Sequence, residues 1–282
     1  MLQLISGGKT YIFTHPALMG ILNVTPDSFS DGGRYNQMDN ALRHCETLIS
    51  DGADFIDIGG CSTRPNNAIA TEQEEMERVI PILKAIRTAF PKVLISIDTF
   101  RKNVAEACIN EGADLINDIS GGLFDKEMLP YIGENHIPYV MMHCVGTPEI
   151  MHQYALDGDI HQTVMDFFTQ QCKVLEAYGE QQIILDPGIG FGKSLEANYQ
   201  LLSNLERYRY NGLPILIGIS RKSLINKVLG TMPQTAENGT TVLNTIALLN
   251  GADILRVHDV KNAREAIELV GTFCNFAAKF EP

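Results

Sequence analysis

Apolar residues in this chain gather into short unbroken runs instead of alternating with polar ones. The runs fall at residues 18–24, 55–58, 93–97, 115–119, 139–142, 183–185, 215–219 and 254–257. Such runs suit strands buried on both faces, as in parallel sheets wrapped by helices. The segments between them carry helical spacing instead. Ala41, Leu42, Cys45, Leu48 and Ile49 form one stripe, and Met76, Val79, Ile80, Leu83 and Ile86 form another. Thr71 and Glu74 precede the second stripe with the spacing of a capping box, and Pro81 within it predicts an interruption and a kink. Three helix-like stretches close on Gly-Ala-Asp, beginning at Gly52, Gly112 and Gly251, and each leads straight into an apolar run. Glycine just past a helix takes the left-handed conformation that lets the last carbonyls find donors, so each tripeptide marks a helix-to-strand corner.

Eight βα units in 282 residues predict an α/β fold of the (β/α)8 TIM-barrel type, which typically spans roughly 250 residues. The alternative is a two-domain α/β protein. No Pro/Gly/Ser linker, charge block or low-complexity tract divides the chain, which favours one barrel domain over residues 1–282. Residues 2–16 carry a Gly7-Gly8 turn between two short apolar pieces and predict a short N-terminal β-hairpin that closes the barrel's lower end.

Composition narrows the function classes. The six cysteines are scattered with no Cys-x-x-Cys pair, which predicts reduced thiols in the cytosol. No run of about 18 apolar residues exists to span a bilayer, and the N-terminus lacks the layout of a signal peptide, so a soluble cytoplasmic protein without a membrane partner is expected. A net charge of −12 argues against nucleic acid as a partner.

In barrels of this kind, polar groups at the C-terminal ends of the strands converge on one mouth. Asn23, Asp98 and Asp186 end runs here, Thr63, Arg64 and Lys222 follow runs, and Asn117, Arg256 and His258 lie in or just after them. Taken singly, Asp98 or Asp118 reads as a helix cap or turn former. Asp98, Asn117 and Asp186 together read differently, because three polar groups in an apolar mouth need a ligand, water or counter-charge. Arg64, Lys222, Arg256 and His258 add positive charge at the same ends and point to an anionic, phosphorylated ligand. Arg221 reads as a solvated rim charge; Arg256, between Leu255 and Val257, does not. The segment from Gly188 to Ser194 imitates a nucleotide phosphate loop, but position 187, where that loop needs glycine, is proline. Its glycines predict a sharp turn and close backbone approach to a ligand.

These residues fall into segments that resemble the signatures of the dihydropteroate synthase family. Gly20-Ile-Leu-Asn-Val-Thr-Pro-Asp-Ser-Phe-Ser-Asp-Gly-Gly33 is similar to the first signature and Asp57-Ile-Gly-Gly-Cys-Ser-Thr-Arg-Pro65 to the second. Ser96-Ile-Asp-Thr99, Asn117-Asp-Ile119, Met142-His143, Asp186-Pro-Gly-Ile-Gly-Phe-Gly-Lys193, Gly218-Ile-Ser-Arg-Lys-Ser223 and Arg256-Val-His-Asp259 follow in the family's order. The resemblance implies condensation of 6-hydroxymethyl-7,8-dihydropterin diphosphate with 4-aminobenzoate, giving 7,8-dihydropteroate and diphosphate, in an enzyme type targeted by sulfonamides. It also implies that Asp98, Asn117 and Asp186 hold the pterin, with Met142 and Gly218 in the same substrate site, and that Lys222 contacts both substrates. Arg256 is expected to stack on the ring and, with His258 and Asn23, to hold the diphosphate, Asn23 binding Mg2+. Thr63, Pro65, Phe191 and Ser223 are expected to form the aminobenzoate pocket. Arg64 is expected to assist departure of diphosphate, and Asp31, expected to be catalytic together with Lys222 and Arg256, to stabilise a cationic pterin methylene. The loops near residues 29–33 and 64–70 are expected to fold over bound diphosphate. Homodimers are usual in the family. Cys61, where most members carry glutamate, and Asn66 and Asn226, where glycine is common, depart from the pattern; Asn226 is expected to alter the start of the following helix. Two rivals are a pterin-binding methyl-transfer module of a cobalamin-dependent enzyme, which uses no aminobenzoate, and a non-catalytic binder of a phosphorylated ligand.

Overall fold

The computed structural model describes residues 2–25, 34–62, 69–148, 150–153, 155–156 and 158–277. Strands β1 (Leu2–Ser6) and β2 (Lys9–Phe13) form the expected antiparallel hairpin. Gly7 and Gly8 both take positive φ, 54° and 73°, as a two-residue turn between twisted strands requires. The following elements alternate: β3 (Ala17–Asn23), α1 (Arg34–Ser50), β4 (Phe55–Gly59), α2 (Glu72–Ala89), β5 (Leu94–Asp98), α3 (Lys102–Asn110), β6 (Leu115–Asp118), α4 (Met128–Asn135), β7 (Tyr139–Met142), α5 (Ile160–Glu176), β8 (Ile183–Asp186), α6 (Leu195–Ser203), β9 (Leu216–Ile217), α7 (Ser223–Leu229), α8 (Glu237–Leu249), β10 (Ile254–Val257) and α9 (Val260–Ala277).

Strands β3 to β10 make one parallel sheet in the order β8-β7-β6-β5-β4-β3-β10-β9. An isolated parallel bridge between Leu185 and Ile215 joins its two edges, so the sheet closes into a barrel. The predicted runs become these eight strands, with β9 shorter than expected. Only Leu216 and Ile217 pair along β10, while Ile215 bridges to Leu185 of β8 and its carbonyl accepts the Asp253 and Ile254 N–H groups. Met19, Phe55, Leu94, Leu115, Val140, Ile184, Leu216 and Ile254 fill the lower barrel, and Leu2 and Leu4 of the hairpin seal it from below.

All three Gly-Ala-Asp corners are built alike. Gly52, Gly112 and Gly251 have φ of 102°, 95° and 92°. The aspartate of each corner accepts a backbone N–H at the start of a neighbouring strand: Asp54 from Leu18, Asp114 from Ile95 and Asp253 from Ile215, at 2.8 to 2.9 Å. An arginine then bridges that carboxylate and the glycine carbonyl, Arg264, Arg87 and Arg209 respectively. Thr71 and Glu74 form the predicted capping box of α2. Pro81 does not interrupt this helix, contrary to expectation. The carbonyl it deprives of a donor belongs to Glu77, on the exposed face where water can serve it.

Candidate active site

The upper ends of β4, β5, β6 and β10 carry a linked polar layer. Arg256 reaches from β10 across the barrel; its Nε donates to Asp57 Oδ2 at 2.6 Å and its Nη2 to Asp98 Oδ2 at 2.7 Å. Asn117 Nδ2 donates to the same Asp57 oxygen at 3.1 Å. Strand register explains the meeting: Asp57 pairs with Ser96, two residues further Gly59 pairs with Asp98, and Asp98 pairs with Asn117. Side chains two residues apart share a face, so Asp98 and Asn117 form an upper tier above Asp57 and Ser96.

Burial pushes the Asp98 carboxyl up to about 7; Arg256 opposes the rise, while the charges of Asp57, Glu75 and Asp118 add to it. Asp186 at the end of β8 is likewise raised by burial, against the pull of Lys222 and of the Gly188 N–H that donates to it at 2.7 Å. Lys222 follows β9; burial brings it down to about 8, with Asp186 opposing and Arg256 reinforcing. Its Nζ donates to the Ile189 carbonyl at 2.5 Å and lies 4.3 Å from the centre of the Phe191 ring. For Arg256, burial is outweighed by the two carboxylates, which raise its affinity for the proton.

Most of the predicted residues meet here. Gly218 leaves room on the opposite wall, where a Cβ would stand 3.8 Å from both Arg256 Cβ and Lys222 Nζ. Met142 and Phe191 belong to an apolar patch with Ile119, Cys144 and Met151. His258 Nδ1 shares a 2.9 Å hydrogen bond with Ser220 Oγ, and Ser223 opens α7 on the exposed side. Asn23 ends β3; a Cβ built on Gly59 would lie 3.5 Å from Asp98 Oδ2 and 3.6 Å from Asn23 Oδ1. Asp31, Thr63, Arg64, Pro65 and Asn66 lie outside the described residues, as does most of both expected loops.

The base of the second loop is tied down on each side. Arg78 Nη1 donates to the Gly60 carbonyl at 3.0 Å, and Arg101 Nη2 donates to that of Ala70 at 2.5 Å. Arg101 also pairs with the fully buried Glu75, and Cys61 stands beside that carboxylate, its thiol raised first by burial and then by the Glu75 charge.

Several expectations are revised. Arg221 is no solvated rim charge, since its Nε and Nη2 fork onto Asp259 at 3.1 and 2.5 Å. Asn226 acts at the end of α7, accepting the Thr231 hydroxyl at 3.1 Å. The glycine turn after β8 approaches protein backbone: a Cβ on Gly188 would stand 1.8 Å from the His143 carbonyl oxygen. Lys193 is turned inward onto the carbonyls of His143, Gly188 and Phe191, so it is not presented as a phosphate-loop lysine would be. Asp118 is the buried turn former that its position suggested, accepting from Ser120, Gly122 and Tyr139. Asp57, the hub of the layer, had gone unassigned, although a carboxylate inside an apolar run signals a paired buried charge.

A model of the family described as "pterin binding enzyme" matches residues 19–258. The Escherichia coli dihydropteroate synthase is 41% identical over 271 residues, covering 95% of each chain. The chain belongs to the dihydropteroate synthase family of pterin-binding enzymes. Among solved structures, a Yersinia pestis dihydropteroate synthase with a sulfonamide drug superposes with a TM-score of 0.89 at 40% identity, covering 97% of this chain and 99% of that one. A Xanthomonas albilineans dihydropteroate synthase with 4-aminobenzoic acid gives 0.88 at 34% identity, covering 99% of both. Membership of the dihydropteroate synthases makes the chain a transferase of a pterinylmethyl group. Among the described residues, no helix is long and apolar enough to cross a membrane.

Proposed function

We propose that this chain joins 6-hydroxymethyl-7,8-dihydropterin diphosphate to 4-aminobenzoate, releasing diphosphate and forming 7,8-dihydropteroate. The observation that carries the reading is the pairing of two largely enclosed carboxylates, Asp98 and Asp186, with a cationic pair, Arg256 and Lys222, in one barrel mouth. Asp98 and Asp186 can accept N–H bonds from the amidine-like edge of a pterin, with Asn117 beside them, at about 1.5 to 3 kcal/mol for each charge-assisted bond. Arg256 and His258 face the diphosphate, Lys222 and Phe191 lie between the two substrates, and Met142, Gly218 and Ser223 complete the walls; Thr63 and Pro65 are assigned to 4-aminobenzoate and Arg64 to the departing diphosphate. The bond from the pterin methylene carbon to the diphosphate oxygen breaks first, its electron pair leaving with diphosphate. The arylamine nitrogen then attacks the methylene and releases its proton, while Asp31 stabilises the intervening cation.

Asn23 offers one hard amide oxygen at the diphosphate end, and no group of three metal-ligating residues exists among the described residues. That donor set fits a magnesium ion which draws its other ligands from phosphate oxygens and water. Bound there, Mg2+ would neutralise charge developing on the departing diphosphate. Exposed Val242 and Leu249 on α8 and Leu269 and Phe273 on the adjoining α9 support a homodimer through this face. Six free cysteines fit a reducing cytoplasm.

The test is product formation with each of the two substrates and Mg2+ omitted in turn. Diphosphate release that requires 4-aminobenzoate supports the synthase reading. Release indifferent to it would sink that reading in favour of a related pterin-binding module.

A further inference from the structure

Arg256 is held by two carboxylates that differ in access. The Asp57 side chain is fully enclosed, at 0% exposure, whereas Asp98 keeps 22% and Arg256 itself 19%. One arginine therefore has a hidden anchor on Nε and a solvent-facing partner on Nη2. From this geometry we propose that Asp57 is a positioning residue: it keeps Arg256 by Nε in every state of the site, so that Nη2 can release Asp98 to the pterin without the arginine leaving the mouth. The inference rests on the pterin reading given above.

Two physical arguments support this division of labour. Separating an enclosed carboxylate from its cation strands a buried charge, and among the described residues Arg256 is the only cation that Asp57 contacts, its Oδ1 having no hydrogen-bond partner. Asp98 keeps 22% of its side chain open, so on leaving Nη2 it can be served by water or ligand, a route that the enclosed Asp57 lacks. Exchange on ligand binding should therefore fall on Nη2 and spare Nε. The same Asp57 oxygen also takes the Asn117 amide, so one acceptor orients two groups of the pterin floor that come from strands far apart in sequence. Remove its charge, and the guanidinium keeps one carboxylate, Asp98, onto which it should settle and compete with the pterin.

The experiment is a double-mutant cycle read by calorimetric titration with pterin diphosphate, using Asp57→Asn, Arg256→Met and the double variant, with melting temperatures recorded for each. Asp57→Asn should raise the pterin-diphosphate Kd by about tenfold or more and leave the KM for 4-aminobenzoate within about twofold. In the Arg256→Met background the same change should alter Kd by less than about twofold, because non-additivity marks residues that act through each other. Unchanged affinity in Asp57→Asn overturns the proposal, and so does a full, additive loss in the double variant, which would mean that Asp57 acts on binding by a route other than Arg256, through Asn117 or the ligand itself. Should Asp57→Asn not fold, Arg256→Lys probes the same contact with Asp57 intact, since lysine keeps the charge but has no Nε. It should show a comparable rise in Kd, and parental affinity would overturn the tether. Failure of the parent protein to bind pterin diphosphate would instead refute the functional reading itself.

Discussion

Replacing Asp98 by asparagine should move stability and binding in opposite directions. The folded site raises this carboxyl from 3.8 to about 7, chiefly through burial, with Arg256 already pulling the other way. A carboxyl with a raised folded pKa is penalised in the fold wherever the unfolded chain ionises it. The penalty is thus absent below about pH 4, grows between pH 3.8 and about 7, and stays constant above. Three units at about 1.4 kcal/mol each set an upper bound of roughly 4 kcal/mol. Because 22% of the side chain remains open to solvent, screening reduces the expected gain to on the order of 1 to 2 kcal/mol. In a chain of this size that is a rise in Tm of roughly 2 to 8 °C at pH 8, narrowing as the pH is lowered towards 5. Binding should suffer instead. An amide turns one acceptor into a donor that faces the ligand's own N–H, losing about 1.5 to 3 kcal/mol and raising the pterin-diphosphate Kd by roughly 10- to 150-fold. Calorimetric titration and scanning calorimetry read the two effects separately. A Kd within threefold of the parent, or a lower Tm at pH 8, would refute the reasoning.

Three further outcomes follow from the same site. Asp31→Asn should lower kcat more than it raises either KM, and equal turnover in steady-state assays would count against a role in stabilising the cation. Lys222 loses its proton near pH 8, so pterin-diphosphate kcat/KM should fall as the pH rises through that value. In Lys222→Arg this alkaline fall should flatten, because a guanidinium stays charged there; an identical pH profile would exclude Lys222 as its source. Arg101→Met strands the enclosed Glu75 and should cost about 3 to 5 kcal/mol in urea unfolding, with much of it recovered in the double variant with Glu75→Gln; a loss under 1 kcal/mol would show that the pair at the base of the second loop matters little.

The strands were legible because burial on both faces leaves an unbroken apolar signature, and the three corners because only glycine takes their φ without strain. Nothing local announces the arginines that lock those corners: Arg264 lies 212 residues from the Gly52 carbonyl it serves. Of the site, the residues at strand ends could be read, since the barrel's topology dictates where they point. Asp57 was hidden by the opposite circumstance, sitting mid-strand among Phe55, Ile56 and Ile58, where it passed for part of the core. Arg256 stands in the same kind of apolar surroundings, and two opposite charges each set inside an apolar run are the signal that such a pair leaves in a sequence. Pro81 is the converse case: the local rule predicts a break, but the freed Glu77 carbonyl lies on the exposed face and the helix runs on.

The closing joint of the barrel sets a mechanical property of the mouth. β3 and β4 are laced by five residue pairs, whereas β8 meets Ile215 through a single bridge, reinforced by the Leu185 N–H donating to the Pro214 carbonyl at 2.8 Å. A hoop with one thin joint widens there first. Asp186 and Lys222 stand on its two sides, so the gap between these two groups, which we propose hold the pterin, is governed by the most compliant part of the ring. Breathing at that joint should let the Leu185 amide take up deuterium ahead of the amides of β4, and a ligand that spans it would act as a brace.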